Sequence, residues 1–271
     1  MSVSAQLAGR KAENSEWLDV AVRIGLVAYG VVHLMVAFLA VQLALGDGGR
    51  SASRKGALAE IASQPFGKVL VWGIAIGMVL LVIWRVLDAA FGHQEKSGAD
   101  RLKARGAAAF KAVIYAVLAF TALKVAIGSQ SKGGSGSETI TAKVFSWPAG
   151  QLIVIAIGFG ILGYGVFMAW RGWTEKFKEH LDAEGKSGET GKAYILFGRI
   201  GYISKGIAVA LVGGLFLYAG FTHDPKKSGG LDQALHKVLQ QPFGQGLLVL
   251  IGLGIGCYGL FCFARARHLS R

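Results

Sequence analysis

Residues 23–45 read RIGLVAYGVVHLMVAFLAVQLAL. After the single arginine, no side chain is charged for 22 residues, and apolar residues surround the whole helical circumference. A helix rises about 1.5 Å per residue, so this stretch covers the ~30 Å hydrocarbon core of a bilayer. All-round hydrophobicity separates a spanning helix from one that lies on a membrane surface. Five more segments are similarly long and largely apolar, at 67–90, 107–128, 149–170, 200–221 and 245–264; with 24–45 they make six spans. No ten-residue segment alternates apolar and polar residues, which excludes a β-barrel. The fold class expected is an all-α integral membrane protein.

The composition agrees with that reading. Of 271 residues, 53% are apolar and 17% charged, with a mean hydropathy of +0.47. An average soluble domain carries about 25% charged residues. A disordered chain would be poorer in apolar residues, and a disulfide scaffold would need more than two cysteines. Arg10, Lys11, Glu13, Glu16 and Asp19 precede the first span, with no small-residue cleavage site after a short apolar run. That is not a signal peptide, and the first span is expected to stay as an anchor.

The net charge of +13 has a location. The N-terminal flank and the connections after the second, fourth and sixth spans carry 18 Lys and Arg, against 10 in the other three connections. The positive-inside rule then puts both termini in the cytoplasm of a multi-pass plasma-membrane protein. Cations at membrane boundaries suit anionic lipid headgroups as partners, and no nucleic-acid motif accompanies them. Nucleic acid is therefore not an expected partner; the bilayer is, with a larger membrane complex as a further possibility.

Placing Arg23, Arg105 and Arg199 in register aligns RIGLVAYGVVH, RGAAAFKAVIY and RIGYISKGIAV without a gap. Two residues past the arginine stand Gly25, Ala107 and Gly201, and seven past it Gly30, Ala112 and Gly206. Farther on come Pro65-Phe66-Gly67, Pro148-Ala149-Gly150 and Pro242-Phe243-Gly244, each with a glycine twelve residues past the proline: Gly77, Gly160 and Gly254. Each copy reads as a helix, a connection and a proline-started helix. The organisation expected is a segment 1–22, hairpin repeats at 23–92, 105–173 and 199–268, linkers at 93–104 and 174–198, and a tail 269–271. Two spans per repeat insert every copy in one orientation, so the repeats are parallel and suggest a pseudo-threefold bundle. The recurrent small residues Gly25, Gly30, Gly77, Gly160, Gly201, Gly206 and Gly254 read as helix-packing positions.

Three tandem hairpins opening on Arg-x-Gly, turning at QPFG and ending in GMVLLVIWR (77–85) or GILGYGVFMAWR (160–171) resemble the bacterial, actinobacterial-type membrane family called domain of unknown function 1206. The middle copy departs with WPAG, and the third ends Phe263-Ala264-Arg265. The resemblance implies a six-span membrane fold in three copies and carries no activity.

Arg23, Arg85, Arg105, Arg171, Arg199 and Arg265 fall at helix ends on the predicted cytoplasmic side. They are candidates for anionic lipid or phosphate contacts, although positive-inside anchoring by snorkelling side chains is the favoured reading. Asp88 can pair with Arg85 three residues away. Lys111 and Lys205 share one repeat position, filled by Tyr29 in the first copy. With His33 they are candidate pathway residues, since ionisable groups inside a span are functional suspects; a lysine so shallow can also snorkel, and a packed, hydrogen-bonded role suits His33 better. Cys257 and Cys262 are spaced onto different helix faces, so no disulfide or metal pair is expected. No HExxH, GxSxG, CxxC or intramembrane carboxylate pair appears, so neither catalytic residues, a cofactor nor enzyme activity is expected. KGALAEIASQ (55–64) and LDQALHKVLQ (231–240) read as short amphipathic helices capping the bundle, with SETITAKVFSW less regular. SKGGSGS (131–137) reads as a flexible loop, and 173–193 as a frayed helix plus tether. The leading functional expectation is a structural or accessory membrane protein. The alternative is a small transporter or channel for an anionic or amphipathic solute.

Overall fold

The computed structural model describes residues 16–46, 52–63, 67–92, 97–128 and 136–269. Nine α-helices lie among them: α1 (Glu16–Leu45), α2 (Arg54–Ser63), α3 (Gly67–Phe91), α4 (Gly98–Ala126), α5 (Gly136–Phe145), α6 (Gly150–Trp173), α7 (Gly188–Thr222), α8 (Leu231–Leu239) and α9 (Gly244–Arg267). The six long ones are long and apolar enough to span a membrane, and the protein is a multi-pass membrane protein. Gln64-Pro65-Phe66, His93, Arg10, Lys11, Glu13 and most of the glycine-rich 131–137 loop lie outside the described residues.

Each repeat contributes a first helix, a short helix and a second helix: α1–α2–α3, α4–α5–α6 and α7–α8–α9. The short helices mark one face, termed the hairpin face. The connections between repeats mark the other, the linker face. The second helix of each repeat packs on the first helix of the next: α3 on α4, α6 on α7, and α9 back on α1. That last contact closes the order into a ring instead of a row. Within repeats, α1 packs on α3 and α7 on α9, but α4 and α6 stand apart. The ring therefore has one open seam, bridged by the edge-to-face pair of Phe110 and Tyr164, with centroids 5.4 Å apart.

The repeat glycines explain the closed seams. A Cβ on Gly25 would lie 2.8 Å from the Gly77 carbonyl oxygen, and one on Gly201 would lie 2.5 Å from the Tyr258 backbone, both within a hairpin. A Cβ on Gly30 would lie 2.9 Å from the Gly259 oxygen, and one on Gly206 would lie 2.7 Å or less from Ala169 and Gly165, both between repeats. Bare backbone at these points lets helices approach closely, where lipid supplies no hydrophobic drive. Gly160 departs from the expected packing role: a Cβ there would meet nothing within 4 Å. Its hairpin is the open one, so the neighbour that Gly77 and Gly254 have is missing.

The proline turns also differ from the expectation. Pro148 and Pro242 sit two residues ahead of their helices, not in the first turn. Ala149 (φ 59°) and Phe243 (φ 60°) follow in the left-handed region, and the amides of Gly150 and Gly244 donate back to the carbonyls of Trp147 and Gln241. This is a type II turn with proline at its second position. A Cβ on Gly150 or Gly244 would fall 2.0 or 2.4 Å from a carbonyl oxygen of the preceding short helix, so only glycine starts the second helix.

The caps follow the expected pattern more closely. α2 packs on α1, α3 and α4, and α8 on α7 and α9. Leu235 and Val238 are buried, with Leu231 and Leu239 packed against the core. The less regular middle stretch is helical as well, as α5. The linker after α6 is no loose tether. It folds as 3-10 turns at Lys176–His180 and Glu184–Lys186, with Phe177 and Leu181 fully buried and Leu181 bridged to Leu269.

Candidate functional site

The six helix-end arginines divide into two sets. Arg23 is exposed, Arg105 donates from Nε to the Gly92 carbonyl at 3.2 Å, and Arg199 is half-exposed beside the Trp173 ring. These three lie two to three turns inside the first helices, and none of them lines the pocket that the other three share. Arg85, Arg171 and Arg265, one from the second helix of each repeat, turn inward and line a common pocket of about 60 Å³. Arg85 and Arg265 are only 6% and 8% exposed. Arg171 and Arg265 each lie 23 residues past their proline. Arg85 lies 20 past Pro65, about one turn deeper, and Asp88 takes the equivalent place. The Arg85–Asp88 pair forms as expected, at 2.8 Å.

Lys111 and Lys205 enter the same pocket. Lys205 does not snorkel outward. It is buried, its Nζ donates to the Tyr29 hydroxyl at 2.8 Å, and it lies 3.7 Å from the centroid of the Tyr258 ring. Two of the three repeat-equivalent positions thus touch each other. The cation gains two aromatic faces and one hydroxyl in place of water. No Asp or Glu is among the residues lining the pocket. Nε of Arg85 and Nε of Arg265 are buried without a hydrogen-bond partner.

The turns between α6 and α7 close this pocket from the linker face. Arg171 contacts Glu179 at 2.5 Å and His180 Nε2 at 3.1 Å. Burial, and then the positive field of Arg265, Arg171, Lys111 and Arg85, holds the His180 imidazole well below its ordinary range. The neutral ring accepts from the guanidinium.

A second, larger space of about 710 Å³ adjoins the first. Lys205 lines both. From there the cavity runs between α1, α4, α6 and α7 to Ser53, Gly230 and Leu231 at the hairpin face. Its walls are apolar, with Val117, Ile157, Gly160 and Val212 among them. Phe110, Val117 and Ile157 line it and yet are 51%, 61% and 40% exposed, so it opens sideways along the α4/α6 seam. His33 lies on its wall as a buried, packed residue; its Nδ1 hydrogen-bonds to the Tyr29 carbonyl at 2.8 Å.

The structure thus gathers Arg85, Arg171, Arg265, Lys111, Lys205 and His33 around two adjoining spaces and leaves Arg23, Arg105 and Arg199 outside them. Sequence reasoning missed His180 and the tyrosines Tyr164, Tyr202 and Tyr258. A signal existed for two of these: Tyr164 and Tyr258 both lie 16 residues past their proline. Cys257 and Cys262 are both free. No group of three or more potential metal ligands gathers among the described residues.

Comparison with known proteins fits this three-part construction. The family model described as Domain of Unknown Function (DUF1206) matches residues 24–92, 106–175 and 200–268. The chain belongs to this family, in three tandem copies. It is also similar to the uncharacterized protein YxxB of Bacillus subtilis (strain 168), at 29% identity over 263 residues, covering 96% of this chain and 95% of that one. No solved structure matches the chain.

Proposed function

We propose that this member of the family takes a single amphipathic molecule from the bilayer and holds its apolar chain inside the helix ring, as a membrane carrier does. The observation that carries the reading is the apolar cavity of about 710 Å³ opening along the α4/α6 seam. At membrane depth such a space does not stay empty. Its walls would forfeit dispersion contacts, and acyl chains border the seam. The polar end of the guest points to Lys205, where apolar wall gives way to cations. A purely structural subunit has no need of such a space, so the geometry favours the carrier over the accessory role. In this reading the linker face is cytoplasmic and the membrane is the plasma membrane, in keeping with the 18-to-10 division of cations.

Gly160 supplies the test. Gly160 lines the cavity, and a Cβ there meets nothing within 4 Å, so a longer side chain takes up the cavity's volume. Native mass spectrometry of the full-length protein, released from membranes in mild detergent, is expected to find a single retained amphiphile. Gly160→Leu should lose it while keeping the wild-type unfolding temperature. An empty wild-type protein, or equal retention in the variant, would overturn the proposal.

A further inference from the structure

The carrier reading concerns the chain of the guest and leaves its polar end open. We infer that the pocket among Arg85, Lys111, Arg171, Lys205 and Arg265 binds a single phosphate group, as a phosphomonoester, at the end of that chain. The inference rests on the carrier reading for the chain and on separate observations for the head.

Five cations from five different helices, α3, α4, α6, α7 and α9, converge on about 60 Å³, room for roughly four water-sized atoms. Two carboxylates contact the cluster among the described residues, Asp88 on Arg85 and Glu179 on Arg171. Neither lines the pocket. Buried charges are costly unless paired and hydrogen-bonded, yet two guanidinium Nε atoms, on side chains more than nine-tenths buried, have no partner. Arg265 has no carboxylate within 4 Å among the described residues. An anion in the pocket would give the three guanidinium groups that line it a shared counter-charge.

The number of cations selects the anion. A carboxylate brings a single charge and two oxygens. A phosphomonoester brings about −1.5 to −2 and three oxygens, which suit guanidinium forks from several directions. The surrounding tyrosines, Tyr29, Tyr115, Tyr202 and Tyr258, supply walls and hydroxyls but no carboxylate. Because Lys205 lines both spaces, a chain in the large cavity leads its head group directly into the small one.

Binding of matched probes to the full-length protein in nanodiscs separates head from chain. Dodecyl phosphate is expected to bind at least about tenfold tighter than neutral monolaurin or singly charged laurate. Lys111→Gln and Arg265→Gln should erase that preference, weakening dodecyl phosphate by about tenfold more than monolaurin. Should Arg265→Gln fail to fold, Lys111→Gln carries the test alone, since Lys111 is the less buried. Equal affinity for the three probes, or a preference that survives Lys111→Gln, would overturn the phosphate assignment and leave the carrier reading standing. Failure of all three probes to bind would overturn the carrier reading itself. Inorganic phosphate alone tells the sources apart, using Gly160→Leu, which keeps the head pocket and loses the chain cavity. A raised unfolding temperature supports the site with free phosphate as its source. No shift there, with dodecyl phosphate bound by the wild type, supports it with a lipid head group as the source.

Discussion

Gly25 and Gly201 occupy one repeat position and make one kind of contact, each opposite the residue 16 past its proline, Leu81 and Tyr258. Gly30 and Gly206 do the same between repeats, opposite Gly259 and Gly165. The small-residue pattern was readable in the sequence because close helix approach forbids a Cβ. Gly160 carried the same mark and does something else, since its partner helix has moved away. Two substitutions separate these cases. Gly201→Val forces atoms into the Tyr258 backbone and should destabilise the protein by about 1–3 kcal/mol. Gly214→Ala, where a Cβ meets nothing, should leave the unfolding temperature unchanged or slightly raised. Thermal unfolding in one detergent measures both; equal losses would refute the packing account.

At the scale of elements, the six long helices were legible because each had to be apolar all round. The segment between α6 and α7 was not. WTEKFKEHLDAEGKSGETGKA mixes charges with Gly and Ser, and that composition reads as a tether. Two fully buried apolar residues, Phe177 and Leu181, decide otherwise; Phe177 stacks on Tyr202, with centroids 5.2 Å apart, and meets Phe261 edge-on at 5.2 Å. They hold Glu179 and His180 over the cation pocket. Phe177→Ala removes a fully buried ring and should cost about 3–5 kcal/mol if the turns stay docked. If they undock instead, Lys176, Lys178 and Lys186 become open to trypsin. Limited proteolysis of variant and wild type should show new cleavage there; identical digestion patterns would refute the docking role.

The whole molecule is a ring of three hairpins opened at one seam. The order of contacts follows from the repeats, since each second helix meets the next first helix and α9 returns to α1. The orientation of the ring is a prediction of charge. With Cys257→Ser and Cys262→Ala as background, a cysteine at exposed Ser146 on the hairpin face should react with a membrane-impermeant maleimide in intact cells. A cysteine at exposed Ser187 on the linker face should react only after permeabilisation. The opposite pattern would invert the topology.

The sequence by itself determined the spans, the three copies and the positions where helices touch, because hydrophobic length and missing side chains are local properties that a bilayer reads directly. It also marked the arginines at helix ends, but not which of them turn inward. Only the tertiary structure decided that Arg85, Arg171 and Arg265 meet while Arg23, Arg105 and Arg199 do not, and that the middle hairpin alone splays open. Both outcomes depend on how helices far apart in the chain rotate against one another. That rotation is fixed by the sum of close packing around the ring, not by any one stretch of residues.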